Sequence, residues 1–207
     1  MDLINNKHMQ AITSILKSIG ERVEGNLICD IEPNCYIVQY TYPKIKNLQE
    51  LVKNKKKIIE IGVNACHSLL IMLLENPNAE YLLFDLKYHT YTEPTLNYIK
   101  EQFPNTKINI IYGNSVETIE KYIQDHPEEL KTYDLCHLDG GHTEDIFSKD
   151  YEHTKQLLAK DGITIFDDYN YEEIYNFLQN KINTQEIKEY KNENIKSINS
   201  HFVYQYL

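Results

Sequence analysis

Ile58-Ile59-Glu60-Ile61-Gly62-Val63-Asn64-Ala65-Cys66-His67-Ser68 is the stretch whose reading decides the fold. Its apolar run follows Lys55-Lys56-Lys57, stops at a glycine, and leads within a few residues into an apolar periodic segment. That pattern is a buried strand feeding a helix through a tight turn. In an open α/β sheet the first such turn lies beside the point where strand order reverses, and ligands bind there.

Toward the C-terminus the alternation continues. Leu69, Leu70, Met72 and Leu73 carry a helix to Asn76-Pro77, and Glu80 to Asp85 is a second strand. Thr92 to Phe103 is a helix closed by Pro104, and Lys107 to Tyr112 a third strand ended by Gly113. Ser115 caps a helix carrying Val116, Ile119, Tyr122 and Ile123. Tyr133 to Leu138 is the fourth strand. Thr143 caps the next helix, which buries Ile146, Phe147, Tyr151, Thr154, Leu157 and Leu158 and is ended by Gly162. Ile163 to Phe166 is the fifth strand and Tyr171 to Ile182 a helix. Glu186 to Tyr190 and His201 to Tyr206 alternate as a terminal antiparallel pair. Toward the N-terminus, Pro43 opens a helix with Ile45, Leu48, Leu51 and Val52 as its buried stripe. Asn26 to Ile31 and Tyr36 to Tyr42 are short strands or extended loop around a Pro33-Asn34 turn. Ile12, Ile15, Leu16 and Ile19 share one face of a helix from His8, stopped by Gly20. Strands alternating with helices predict a doubly wound α/β sheet, mostly parallel with an antiparallel C-terminal strand and flanked by helices.

Bulk properties narrow the function. A chain of 207 residues predicts one domain with a core of its own. The net charge of -10 is the wrong sign for tracking phosphates, so no nucleic-acid partner is expected. The basic run Lys53 to Lys57, broken by Asn54, is a solvated lead-in to the strand. Cys29, Cys35, Cys66 and Cys136 form no CxxC pair, which suits a reduced, cytoplasmic setting. No signal peptide and no apolar run near the roughly 20 residues that span a bilayer is seen, so no membrane partner is expected. The amphipathic first helix packs on its own domain or on a second subunit, which leaves a homo-oligomer open.

The predicted strands end on Gly62, Asp85, Gly113, Asp139 and Asp167-Asp168. Small and acidic groups thus recur on the edge where such sheets bind ligands. Asp85 reads either as a carboxylate for ribose hydroxyls or as a turn and helix-cap residue. Only one glycine of a GxGxxG fingerprint is present, so NAD and FAD are disfavoured. Asp139, Asp167 and Asp168 converge if their strands, about 4.8 Å apart, are neighbours. Unpaired, they would repel and shift one another's pKa upward. A hard divalent ion with oxygen ligands at about 2.0–2.1 Å for Mg²⁺ resolves this; otherwise Asp139 caps a turn and the other two are solvated. His142, past Gly140 and Gly141, is a general base or a surface histidine.

Glu60-x-Gly62, the Asp139-Gly140-Gly141-His142 loop and Ile165-Phe166-Asp167-Asp168-Tyr169 resemble a class I S-adenosylmethionine-dependent methyltransferase. The likeness is greatest to the small metal-dependent O-methyltransferases of the catechol and the macrocin or cephalosporin-tailoring types. It implies a methyltransferase-like Rossmann domain over residues 43-207, with 1-42 as a helical and irregular cap. It implies that Glu60, Gly62 and Ser68 hold the methionine part of S-adenosylmethionine, with Asn64 lining the same turn. Asp85 then takes the ribose hydroxyls, and Asn114 and Ser115 border the adenine. Asp139, Asp167 and Asp168 bind Mg²⁺ or another divalent cation, and His142 and Asp139 are catalytic. The implied reaction is methylation of a hydroxyl on a small molecule or sugar. Cys66 stands where the family usually has glycine, and its larger side chain either narrows the cofactor site or only shifts the turn. Two other readings stay open: a catalytically silent methyltransferase-like scaffold, and a metal-dependent hydrolase on the same fold.

Overall fold

In the computed structural model, residues 2–24, 29–30, 36–37, 41–195 and 201–207 are described. In chain order they form α1 (Lys7–Ile19), the short strands β1 (Cys29–Asp30) and β2 (Tyr36–Ile37), α2 (Tyr42–Leu51), β3 (Lys57–Ile61), α3 (His67–Glu75), β4 (Glu80–Asp85), α4 (Thr92–Gln102) and β5 (Ile108–Tyr112). There follow α5 (Ser115–Asp125), a 3₁₀ turn at Pro127–Glu129, β6 (Tyr133–Leu138), α6 (Glu144–Leu157), β7 (Leu158–Asp167), α7 (Glu172–Asn183), β8 (Ile187–Glu189) and β9 (His201–Tyr206).

The main sheet has the order β5-β4-β3-β6-β7-β9-β8. The β3–β4, β3–β6, β4–β5 and β6–β7 pairs are parallel. β9 runs antiparallel between β7 and β8. The chain winds outward from β3 to β5, then returns to β6 on the other side of β3. Strand order therefore reverses between β3 and β6, where the C-terminal ends of adjacent strands leave room for a ligand.

Period-2 alternation along the strands feeds two cores. Ile58 of β3 faces a cluster with Leu16 of α1, Leu48 of α2, Leu70 of α3 and Leu96 of α4. Its neighbours Ile59 and Ile61 face the opposite cluster, with Ile119 of α5, Phe147 of α6 and Leu178 of α7. The N-terminal helix packs on its own domain: Met9, Ile12 and Leu16 are fully buried, and His8 Nδ1 lies 3.0 Å from the Tyr98 hydroxyl on α4. Asn6 caps α1 by accepting from His8 and Met9, and Gly20 ends it in the left-handed conformation. Among the described residues no helix is long and apolar enough to cross a membrane.

The structure differs from the sequence reading in several places. α6 does not run to Gly162. It ends at Leu157, and Leu158 opens β7 opposite Tyr133. Two apolar residues that suit a helix stripe are divided between helix and strand, because pairing with β6 satisfies the backbone that another helical turn would otherwise use. Asn114, not Ser115, caps α5, its side chain accepting from Val116 N–H at 3.1 Å. Thr143 stands at the cap position of α6 without a side-chain cap bond; Glu144 and Asp145 in the first turn complement the dipole there. Tyr42 begins α2 rather than ending a strand. Of the expected short strands, Cys29–Asp30 and Tyr36–Ile37 form an antiparallel pair; the Pro33-Asn34 turn and the remaining parts of 26–31 and 38–40 lie outside the described residues.

Candidate active site

Gly62 joins β3 to the turn with φ of 83°. A Cβ built there would collide with the Asp139 carbonyl, because the ends of β3 and β6 approach backbone to backbone. Glycine is required here by sterics as well as by φ. Beyond it, Val63 and Asn64 N–H donate to Asp85 Oδ2 at 3.0 and 2.9 Å, and Lys87 N–H donates to Asp85 Oδ1 at 2.7 Å. The Asp85 carboxylate is thus the staple that fixes the turn. It retains acceptor capacity, since a carboxylate has about four lone-pair sites. Asn64 is held at both ends: its amide donates to the Glu24 carbonyl at 2.7 Å and its Oδ1 accepts from the Tyr91 hydroxyl at 2.6 Å.

Cys66 takes the left-handed conformation, φ 63°, at the start of α3. Its thiol points into the core, with Sγ 3.4 Å from Thr95 Oγ1 on α4, and is fully buried. It does not line the cleft at the turn, whose walls are Val23, Glu24, Lys44, Gly62–Ala65, His67, Ser68 and Asp139. Of the two alternatives for Cys66, the thiol's place in the core favours a shifted turn over a narrowed cofactor site. The side chain leaves the turn on the far side, and a glycine is replaced only at the cost of backbone strain.

Beneath Ser68 lies Glu60, fully buried. Its Oε1 accepts from the Ser68 hydroxyl and lies 3.1 Å from His137 Nδ1, while Oε2 has no partner among the described residues. A buried carboxylate oxygen without a donor is costly unless a ligand supplies one.

The register Leu138↔Phe166 sets Asp139 and Asp167 side by side. Between them stands an ammonium that the sequence reading did not foresee. Lys44 of α2, only 3% exposed, bonds Asp139 Oδ2 at 3.1 Å and Asp167 Oδ2 still more closely. Burial alone would lower its pKa, but the two carboxylates outweigh it and keep Lys44 protonated. Burial would raise Asp167; Lys44, then His137, hold it well below the carboxylate range. Asp139 goes the other way, pushed up by burial and by the charge of Asp167. His137 Nε2 lies 3.7 Å from Asp167 Oδ2 and 3.9 Å from Asp139 Oδ2. Burial would lower its pKa, but Asp167 and Glu60 raise it to about 9. On the next strand His201, held down to about 4 chiefly by burial, meets the Asn47 amide at 2.6 Å.

Asp168 does not join this cluster. With φ of 59° its backbone turns, and Oδ2 meets His142 Nε2 at 2.7 Å. His142 is half-exposed, stacks on Tyr171 at 4.9 Å between centroids, and has its pKa raised by the Asp168 bond. The three strand-end acids therefore divide, two on Lys44 and one on His142. Among the described residues the groups that lie close enough to share a metal ion are His137, Asp139 and Asp167; Lys44 already bonds one oxygen of each acid, Oδ2, while Asp167 Oδ1 has no hydrogen-bond partner. Without displacing that ammonium the cluster does not fit a divalent cation. Asn114 and Ser115 are not among the walls of that cleft; Asn114 is exposed and its side chain caps α5.

Residues 59–169 match a family model described as a methyltransferase domain, more than half of the chain. The chain belongs to this methyltransferase family. Among solved structures it is similar to an O-methyltransferase from Bacillus cereus in complex with SAH, at 11% identity and TM-score 0.69, covering 98% of this chain and 91% of that one. It is similar also to the O-methyltransferase TomG from Streptomyces achromogenes, involved in tomaymycin synthesis and in complex with SAM, at 9% identity and TM-score 0.68, covering 98% and 90%. A methyltransferase from Geobacter sulfurreducens matches at 9% identity and TM-score 0.60, covering 97% and 89%. Identities this low speak for the fold, which nearly the whole chain shares.

Within this methyltransferase the cleft brings together Gly62, Asn64, Ser68 and Asp139 of the predicted residues, with Glu60 and Asp85 behind its wall. Lys44, Asn47, His137 and His201 were missed. Lys44 and Asn47 carry one signal: they are three apart beside Ile45 and Leu48, on the face of α2 that packs inward. His137 carries another, a titratable residue inside an apolar strand two positions before Asp139.

Proposed function

We propose that the protein transfers a methyl group from S-adenosylmethionine to a hydroxyl of a small molecule or sugar. The observation that carries this is that the β3–α3 turn and Asp139 share one cleft, so a cofactor in the turn adjoins the buried charges. Bound S-adenosylmethionine supplies an electrophilic methyl group. The unpartnered Glu60 Oε2, with Ser68 bonded to the same carboxylate, suits a cationic amino group. The spare acceptor capacity of Asp85, next to the turn it staples, suits ribose hydroxyls.

His142, oriented by Asp168, takes the proton of the acceptor hydroxyl, a role worth typically about 10²–10⁴-fold. Holding acceptor and methyl group in line supplies much of the remaining rate. The Mg²⁺ expected from the sequence would meet one oxygen of Asp139 and one of Asp167 already bonded to Lys44. With Cys66 out of the cleft, the feature that favoured a silent scaffold is gone.

The test is calorimetric titration with S-adenosylmethionine. Wild-type protein binds in the micromolar range, and Asp85→Ala weakens binding by roughly tenfold or more, the loss of one or two hydrogen bonds to a charged group. A folded wild-type protein that binds nothing in the millimolar range overturns the reading.

A further inference from the structure

We infer that Lys44 is the built-in cation of this site: its ammonium holds Asp139 and Asp167 together and faces the acceptor oxygen, where the sequence resemblance puts a divalent metal ion. The reference to an acceptor rests on the methyltransferase reading; the replacement of a metal rests on the cluster alone.

Two carboxylates at the ends of neighbouring strands repel unless one is protonated or a positive partner stands between them. A lysine is almost never fully buried unless it is paired, and Lys44 is both buried and paired to each acid. It is not a loose arm folded into a vacancy. It projects from the inward face of α2, and Asn47 on the same face is fastened to His201 of β9 at 2.6 Å. α2 is thereby locked over the ends of β7 and β9, and Lys44 arrives with its helix. The ring of His137 lies 3.7 and 3.9 Å from the same two carboxylate oxygens. Ammonium and ring thus meet at the same two oxygens, and the space between the acids is already filled.

With Lys44 in place the ligand set is also poor for Mg²⁺; once the ammonium is removed, two carboxylates and an imidazole remain, a set that Mn²⁺ accepts. Mg²⁺ asks for a near-octahedral shell of oxygens. Here the third candidate donor is the His137 nitrogen, and Asp168 is committed to His142. An ammonium has three donors. Two reach Asp139 and Asp167, and Lys44 also lines the cleft, so the third is left for an oxygen there. A charge-assisted bond to an acceptor losing its proton is about twice as strong as a neutral one.

The experiment is titration of the full chain with MnCl₂, followed by calorimetry and by the Mn²⁺ paramagnetic resonance signal, for wild type and Lys44→Met. Wild type is expected to show no stoichiometric site, with its affinity for S-adenosylmethionine changed less than about twofold by EDTA. Lys44→Met, which keeps the length of the side chain and removes the charge, is expected to gain one Mn²⁺ site and a higher melting temperature in its presence. Micromolar, one-to-one Mn²⁺ binding by wild type overturns the inference, as does a folded Lys44→Met protein that binds none. If Lys44→Met does not fold, the wild-type titration decides. Failure of wild type to bind S-adenosylmethionine would sink the methyltransferase reading and leave both Mn²⁺ results to be read as before.

Discussion

Cys66 holds a backbone conformation, φ 63°, that costs an L-residue roughly 1–2 kcal/mol and that glycine adopts freely. The same residue fills a buried position against Thr95. Replacing it by glycine removes the strain and the buried thiol together, two effects of similar size and opposite sign. Cys66→Gly is thus expected to change unfolding free energy by no more than about 1 kcal/mol and to leave the affinity for S-adenosylmethionine within about twofold. Urea denaturation and calorimetry check the two halves. A tenfold gain in affinity would mean that the thiol borders the cofactor after all. Gly62 is the contrasting case in the same turn. There the Cβ itself has no room against Asp139, so Gly62 is fixed by contact as well as by φ, whereas at Cys66 only φ favours glycine.

At the scale of elements, α1 is a helix whose apolar face finds its partner within the chain. Leu16 is fully buried in the cluster that also holds α3 and α4. Leu16→Ala is expected to destabilise the protein by about 2–5 kcal/mol, measured by urea denaturation at two protein concentrations. A loss below about 0.5 kcal/mol, or one that appears only when the protein is concentrated, would mean that α1 packs on another subunit instead. The helices and strands from β3 onward were legible because each carries a period and a stop: Gly62, Pro104, Gly113 and the Asp139-Gly140 pair punctuate the chain where the sheet turns. The α6–β7 junction was not, since Leu157 and Leu158 continue the helical stripe and only pairing of Leu158 with Tyr133 divides them. The site was legible in its strand-end acids and not in the cation between them. Lys44 stands beside Lys46, and sequence alone assigns both to solvent; burial of one is decided by how α2 docks. His137 was hidden in the same way, a polar residue in a strand whose apolar neighbours fix its reading.

For the molecule as a whole, these buried charges set how stability depends on pH. His137 is held up to about 9 in the native protein, above the value near 6.5 of an unfolded chain. Between those values the native state binds a proton that the unfolded state has released. The contribution of His137 is therefore complete below about pH 6.5 and disappears as pH rises toward 9. At about 1.4 kcal/mol per unit this amounts to about 3 kcal/mol. His67 and His201, held down to about 4 chiefly by burial, act in the opposite sense. Their contribution is full above pH 6.5 and is lost as pH falls. On the acid side they are opposed by Asp150, pushed up to about 6 by burial, and by Asp139, pushed up to about 7 by burial and Asp167, so only the alkaline limb carries a clear sign. Buried thiols such as Cys136, whose pKa burial raises, also lower stability near pH 9, but they do so equally in a variant that lacks only the imidazole. Urea denaturation of wild type and His137→Gln from pH 6.5 to 9 compares the cluster with and without the imidazole, whose removal also raises Asp139. Whatever the offset between the two proteins, wild type is expected to lose more stability than the variant across that window, by an amount below the single-group limit because Asp139 shifts with the imidazole. Parallel curves would mean that His137 is neutral in the folded protein, and that Lys44 alone balances Asp139 and Asp167.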